Sequence, residues 1–342
     1  MPTSTRLLNL VASVIGQPAA DWVFAHVEIP EGLQGFANSE QSLHRAWLAE
    51  ALNLCLFHKL VEAVPAGRTY VEEQLMQGRQ VNFDHGAIRT VDWPENGDLP
   101  RGRQAFTRLL EPLGFTDVRT YPLTKLNMTG YAYRQQDLPA EIAQFFVSEL
   151  HPGRFGEAFQ QAVSRVVESS CDPLQTEHLS ILKRLRQTRH CSQEQAQTLL
   201  PALYRAFDCQ HAVVRESDYR LLLRESAEMA WIATEGNRFN HLTDRVGDLE
   251  RVVAEQRAKN RPMKDSIEVS SSGRVMQTAY KAVQVQRTFL DAAGQCVQRE
   301  VPGSFVEFIQ REIDDETGQL DLHFDSSNAQ GIFKMTDSRS AR

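Results

Sequence analysis

One string occurs twice in this chain and limits what it can become: Phe83-Asp84-His85 with Arg89, and Phe239-Asn240-His241 with Arg245, spell F-[DN]-H-x-x-x-R at two distant places. Around the first copy, Val81, Phe83, His85, Ala87, Arg89 and Val91 alternate with Asn82, Asp84, Gly86, Ile88 and Thr90, the period of an extended strand. After a loop rich in Pro, Gly and Asp over 92–102, Gln104 to Leu113 has helical periodicity and stops at Gly114. Extended segments come next at 115–122, 125–134 and 143–150, so the first copy opens a βαβββ unit. From Arg238 the order recurs: a strand at 238–246, a helix at 247–259, strands around 265–270 and 273–290, and a last strand at 302–312. The expected fold is therefore α+β, with two βαβββ modules.

The remaining sequence is helical in texture. Ala46 to Val64 places apolar residues three and four apart, and the first eighty residues continue in that style. Between the modules, Phe155, Phe159, Val163 and Val166 mark one stripe, and Leu179, Leu182, Leu185 and the stretch Tyr219 to Trp231 mark others. The expected organisation is an N-terminal helical region (1–80), a first module (81–153), a helical insertion (154–235), a second module (236–335) and a tail (336–342).

Composition removes several functions. With 37 basic against 44 acidic residues and no long run of Lys and Arg, nucleic acid is not an expected partner. The apolar stretch Leu7 to Ile15 is interrupted by Asn9 and Ser13 and is too short to span a bilayer. It also lacks the pattern of a secretory signal. Five cysteines without CxxC spacing suit reduced thiols, and the expected location is the cytoplasm. His190, Cys191, Cys209 and His211 match no zinc module. GxSxG, Walker, HExxH and GxGxxG strings are absent from the sequence. Oligomeric state is left open.

The duplicated histidines carry the chemistry. Aligning Phe146-Val147-Ser148 with Phe305-Val306-Glu307 offers a carboxylate in only one module. Two imidazoles and one carboxylate leave coordination positions open, as in non-haem Fe(II) oxygenases. Alternation puts His85 with Arg89, His241 with Arg245, and Phe305, Glu307, Ile309 and Arg311 on common faces. Simpler readings exist for each. A lone strand histidine is usually a core or surface residue, Glu307 could be solvated or paired with Arg311, and Arg89 and Arg245 could pair with Asp84 or Asp244.

The strings NFDHGAIRT, FFVSELHPGRF, NRFNHLTDRV, SFVEFIQRE and NAQGIF, in that order over about residues 80–335, resemble the 2-oxoadipate dioxygenase/decarboxylase (hydroxyglutarate synthase) family. That family belongs to the vicinal oxygen chelate superfamily, whose paired modules curl into a half-barrel around a metal, and EFIQR is similar to the metal-binding strand of 4-hydroxyphenylpyruvate dioxygenase. The resemblance implies Fe(II), or another divalent metal, on His85, His241 and Glu307, with Arg89 holding a substrate carboxylate. It also implies Gln277 in the pocket, and Ser327 and Asn328 in a substrate loop ahead of Gly331-Ile332-Phe333. The 2-oxoadipate enzymes carry Val-Ser in that loop, so substrate chain length is open. The implied reaction consumes a small 2-oxo acid and O2 and yields CO2 and a shortened 2-hydroxy acid. Two alternatives stand beside it: a glyoxalase-like lyase or isomerase, for which Glu149 would supply a fourth ligand, and a non-catalytic metabolite-binding protein.

Overall fold

The computed structural model describes residues 3–36 and 42–325. Its centre is one eight-stranded sheet. The first module contributes β1 (Phe83–Val91), β2 (Phe115–Leu123), β3 (Met128–Gln135) and β4 (Gln144–Leu150). The second contributes β5 (Phe239–Arg245), β6 (Glu268–Val269), β7 (Val275–Ala279) and β8 (Phe305–Arg311). Their spatial order is β2-β3-β4-β1-β5-β8-β7-β6. Each module thus runs outward from its histidine strand. β1 pairs in parallel with β4, β5 in parallel with β8, and the modules meet where β1 and β5 pair antiparallel.

The β1/β5 seam is irregular at two matching places. Phe83 faces Asp244 while His85 faces Thr243, so Asp84 is an extra residue on β1; Ala87 faces His241 while Ile88 faces Phe239, so Asn240 is an extra residue on β5. Both are the [DN] of the repeated string. A bulge breaks the alternation of a strand and re-aims the side chains beyond it. Phe83 and Phe239 accordingly pack in the core, whereas His85 and His241, two residues on, turn to the opposite face. Unbroken alternation from Phe83 to His85, as read from the sequence, does not hold here.

The segment expected as one strand at 273–290 is two. Val275–Ala279 stays in the main sheet, and Gln284–Leu290 leaves it to form a separate hairpin with Cys296–Pro302. The alternation runs on because the hairpin also buries one face, placing Phe289 and Val301 against Tyr219. Period two cannot tell one sheet from another.

Helices cover the other face of the sheet. Arg45–Ala63 is buried on nearly every side, packed by Thr3–Ile15 and by Gln193–Ala206 of the insertion. One apolar cluster joins Leu7, Trp47, Leu203, Val147, Phe239 and Phe308. The second cluster joins Glu157–Val167, Glu216–Glu225 and Ala227–Glu235 to the hairpin. Among the described residues, no helix is long and apolar enough to cross a membrane.

Candidate metal centre

His85 on β1, His241 on β5 and Glu307 on β8 converge in the concave face of the sheet. Glu307 Oε2 lies 3.2 Å from His85 Nε2 and 3.5 Å from His241 Nε2, and the three donors all lie within 4.8 Å of one another. Ligands bound about 2.1 Å from one ion are themselves about 3.0–3.4 Å apart in octahedral or tetrahedral geometry. The donor spacing therefore fits an ion without rearrangement of the strands. The register explains why: Thr243 of β5 pairs with both His85 and Glu307, and Phe305 pairs with His241.

The three donors differ in their electrostatics. Burial drives the His241 pKa down to about 3, overriding attraction from Glu307, so that imidazole is neutral. Burial alone would raise the pKa of Glu307, but His241, His85 and the Thr243 hydroxyl hold it below the usual carboxylate range. His85 is opposite to His241: burial disfavours its cation, yet Asp84 and Glu307 outweigh that and raise it. Glu307 Oε1 and His241 Nδ1 are buried with no hydrogen-bond partner among the described residues. An orphaned carboxylate oxygen in such a place is costly unless a cation answers it, so the residues fit a divalent metal.

The surroundings hold the donors in place. Asp84 Oδ1 lies 2.8 Å from His85 Nδ1, leaving Nε2 to face the centre. Arg311 grips both oxygens of Asp84 at 2.8 and 2.9 Å, and Arg245 adds a bond of 2.7 Å. Thr243 donates to Glu307 Oε2 at 2.6 Å. The Phe324 ring stands edge-on to His85, 4.8 Å away, and Phe305 lies 5.0 Å from His241. Neither Thr243 nor Phe324 had any sequence signal. Asp84 did, as a member of the repeat.

The other predicted residues divide. Gln277 is buried and lines the small cavity at the centre with Ala87, Phe146, Ser148 and Asn240. Arg89 is fully buried, 5.0 Å from the Trp231 ring, and does not line that cavity. Burial brings its pKa down to about 10, countered by Glu228. Arg245 is taken up by Asp84 and the Ala140 carbonyl. Arg311, offered as a partner for Glu307, binds Asp84 instead. Ser327 and Asn328 lie outside the described residues.

The alignment of Ser148 with Glu307 does not hold. Phe305 pairs with His241 and Gln144 pairs with His85, so the register makes Phe146, not Ser148, the first-module counterpart of Glu307. Glu149 supplies no fourth ligand: it accepts from Arg103 N at 2.6 Å and Tyr131 OH at 3.3 Å. It groups instead with Asp92 and His151, where Arg101 and Thr129 already bind the partners.

A family model described as 2-oxoadipate dioxygenase/decarboxylase matches residues 54–334. Among curated proteins none matches the chain. A glyoxalase superfamily protein from Ralstonia eutropha JMP134 is 46% identical, with 94% of this chain and 98% of that one covered and a TM-score of 0.89. The hydroxyglutarate synthase of Oryza sativa, solved with 2-oxoadipate, shares the fold at 16% identity, with 93% and 97% covered and a TM-score of 0.68. That of Pseudomonas putida, also solved with 2-oxoadipate, does so at 19%, with 87% and 74% covered and a TM-score of 0.57. With the family model spanning most of the sequence and the paired modules closing around two histidines and a glutamate, this chain belongs to the 2-oxoadipate dioxygenase/decarboxylase family.

Proposed function

We propose that His85, His241 and Glu307 hold Fe(II) and that the protein oxidatively decarboxylates a small 2-oxo acid of the 2-oxoadipate class. The observation that carries this is the convergence of three donors at ligand spacing, with no fourth beside them among the described residues. For 2-oxoadipate the balance is one 2-oxoadipate and one O2 giving one CO2 and one 2-hydroxyglutarate. When bound, the iron supplies the Lewis-acid and redox chemistry; three protein ligands leave positions for the oxo acid and O2.

The side chains of the protein supply position and environment. Asp84 fixes the orientation of the His85 ring. Ala87, Phe146 and Phe324 make one wall apolar and exclude water. Asn240 and Gln277 offer amides to substrate oxygens. Arg89 lies behind the wall of the central cavity, so a substrate carboxylate would reach it only once that wall opens; its fork could then donate two parallel bonds while staying charged. Phe146 at the place of a fourth ligand speaks against a lyase or isomerase that needs both modules to provide carboxylates.

The test is anaerobic reconstitution with Fe(II), then an oxygen-electrode screen of 2-oxo acids with product analysis. Oxygen uptake matched by CO2 release is expected, strongest for a dicarboxylic 2-oxo acid. Turnover of a carbonyl substrate without oxygen uptake would reverse the assignment. Arg89→Lys is expected to weaken oxo-acid binding by about tenfold or more while metal content stays at wild-type level.

A further inference from the structure

A second cavity, of about 800 Å³, lies among the N-terminal helices and the lead-in residues of β1 and β4, and four glutamates line it: Glu28, Glu31, Glu50 and Glu141. Among the described residues no Lys, Arg or His lines it. Two of the carboxylates already have donors, Glu28 from Asn82 Nδ2 at 2.6 Å and Glu141 from Gly32 N at 2.8 Å. Glu50 is different. It sits on the central helix Arg45–Ala63, only 4% exposed, and no hydrogen bond or ion pair from the described residues reaches its carboxyl group. One turn along, Asn53 bonds the Ala143 carbonyl at 3.1 Å, which directs this helix face to the cavity.

A buried carboxylate without a partner is costly. Burial raises the Glu50 pKa to about 8, with no neighbouring cation to oppose it. Glu50 is therefore largely protonated in the free protein at neutral pH, and a cation entering the cavity would favour the charged form. A metal ion does not fit this description. These glutamates do not form a group with donors close enough to share an ion, whereas two other groups among the described residues do. Carboxylates spread around a cavity of this size suit a longer ligand carrying separated charges, and the volume lies in the range of small-molecule sites. Ile29 and Phe83 in the wall would meet its methylene groups.

We propose that this cavity binds a small aliphatic di- or polyamine, with one ammonium on Glu50 and another among Glu28, Glu31 and Glu141. The site is separate from the metal centre and does not depend on the reaction assigned there.

Spermidine is the probe, titrated calorimetrically into the full chain at pH 7 in two buffers of different ionisation enthalpy. Wild type is expected to bind it with net release of protons from Glu50. Glu50→Gln keeps the shape and removes the ionisable group; it is expected to fold, to bind about tenfold more weakly or worse, and to lose the proton release. The wild-type two-buffer comparison stands without the variant. Three results would each overturn the proposal: no spermidine binding at millimolar concentration, equal affinity in Glu50→Gln, or displacement by equimolar magnesium, which would indicate only a diffuse counter-ion atmosphere.

Discussion

Asp84 is a fully buried carboxylate with four hydrogen bonds to three partners: His85, Arg245 and both ends of the Arg311 fork. Desolvation opposes its charge, but the two guanidinium groups dominate and hold its pKa well below the ordinary range. Its counterpart Asn240 carries no charge, and neither its Oδ1 nor His241 Nδ1 has a partner among the described residues. The two histidines are equivalent in strand position and unequal in support. Asp84→Asn, which copies Asn240 into the first module, is expected to weaken metal binding about 10–100-fold through loss of orientation of the His85 ring. It should also destabilise the fold by about 3–5 kcal/mol, since Arg311 is left buried without its counter-charge. Competition with a chromophoric chelator reads the first effect and denaturant unfolding the second. Metal affinity unchanged from wild type would remove Asp84 from the positioning role. The repeat showed that this position takes Asp or Asn, but the Arg311 contact joins residues far apart in the chain and had no local signal.

At the scale of elements, the order of strands and helices was legible because amphipathic periods differ between them, and the duplicated F-[DN]-H fixed which strands correspond. Register was not legible. The similar strings FVS and FVE drew Ser148 onto Glu307, while backbone pairing sets Phe146 there. A slip of two residues keeps every side chain on its face, so a hydrophobic pattern cannot detect it. The bulges were equally hidden, being a property of pairing between strands rather than of either strand alone. With Phe146 as the counterpart, Phe146→Glu would install a carboxylate at the position equivalent to Glu307 and complete a four-ligand set. The expected variant retains metal and loses oxygen uptake, and its melting temperature rises more on metal addition than that of wild type, because the new buried carboxylate is costly without an ion. Metal analysis, calorimetry and the oxygen electrode read the three parts. Oxygen uptake at the wild-type rate with full metal content would show that Phe146 is not the missing corner.

Over the whole molecule, the segment after β8 returns across the concave face and closes the centre. Arg311 ties it down through the carbonyls of Asp321 and His323 at 2.9 and 2.8 Å, the Phe324 amide bonds Tyr121 OH at 3.0 Å, and Asp325 accepts from Ser271. The same arginine that holds Asp84 therefore holds this strap. With Phe324 and Asp325 in place the central cavity is only about 40 Å³, room for about one water rather than a six-carbon acid. A 2-oxo acid of the proposed class would therefore have to displace Phe324 and, being an anion, Asp325 as well. Phe324 contacts His85, Phe146 and Tyr121, so its return would seal the apolar wall over bound substrate. Phe324→Ala removes the plug and the seal together. Substrate should bind more readily, shown by a lower KM, while water gains access during turnover. Less than one 2-hydroxy acid should then form for each CO2 released, the rest of the shortened acid being left unhydroxylated with its oxygen atom reduced to water by ascorbate supplied in the assay, whereas wild type stays near one to one. If the variant kept tight coupling and an unchanged KM, Phe324 would be packing against His85 with no part in closing the site.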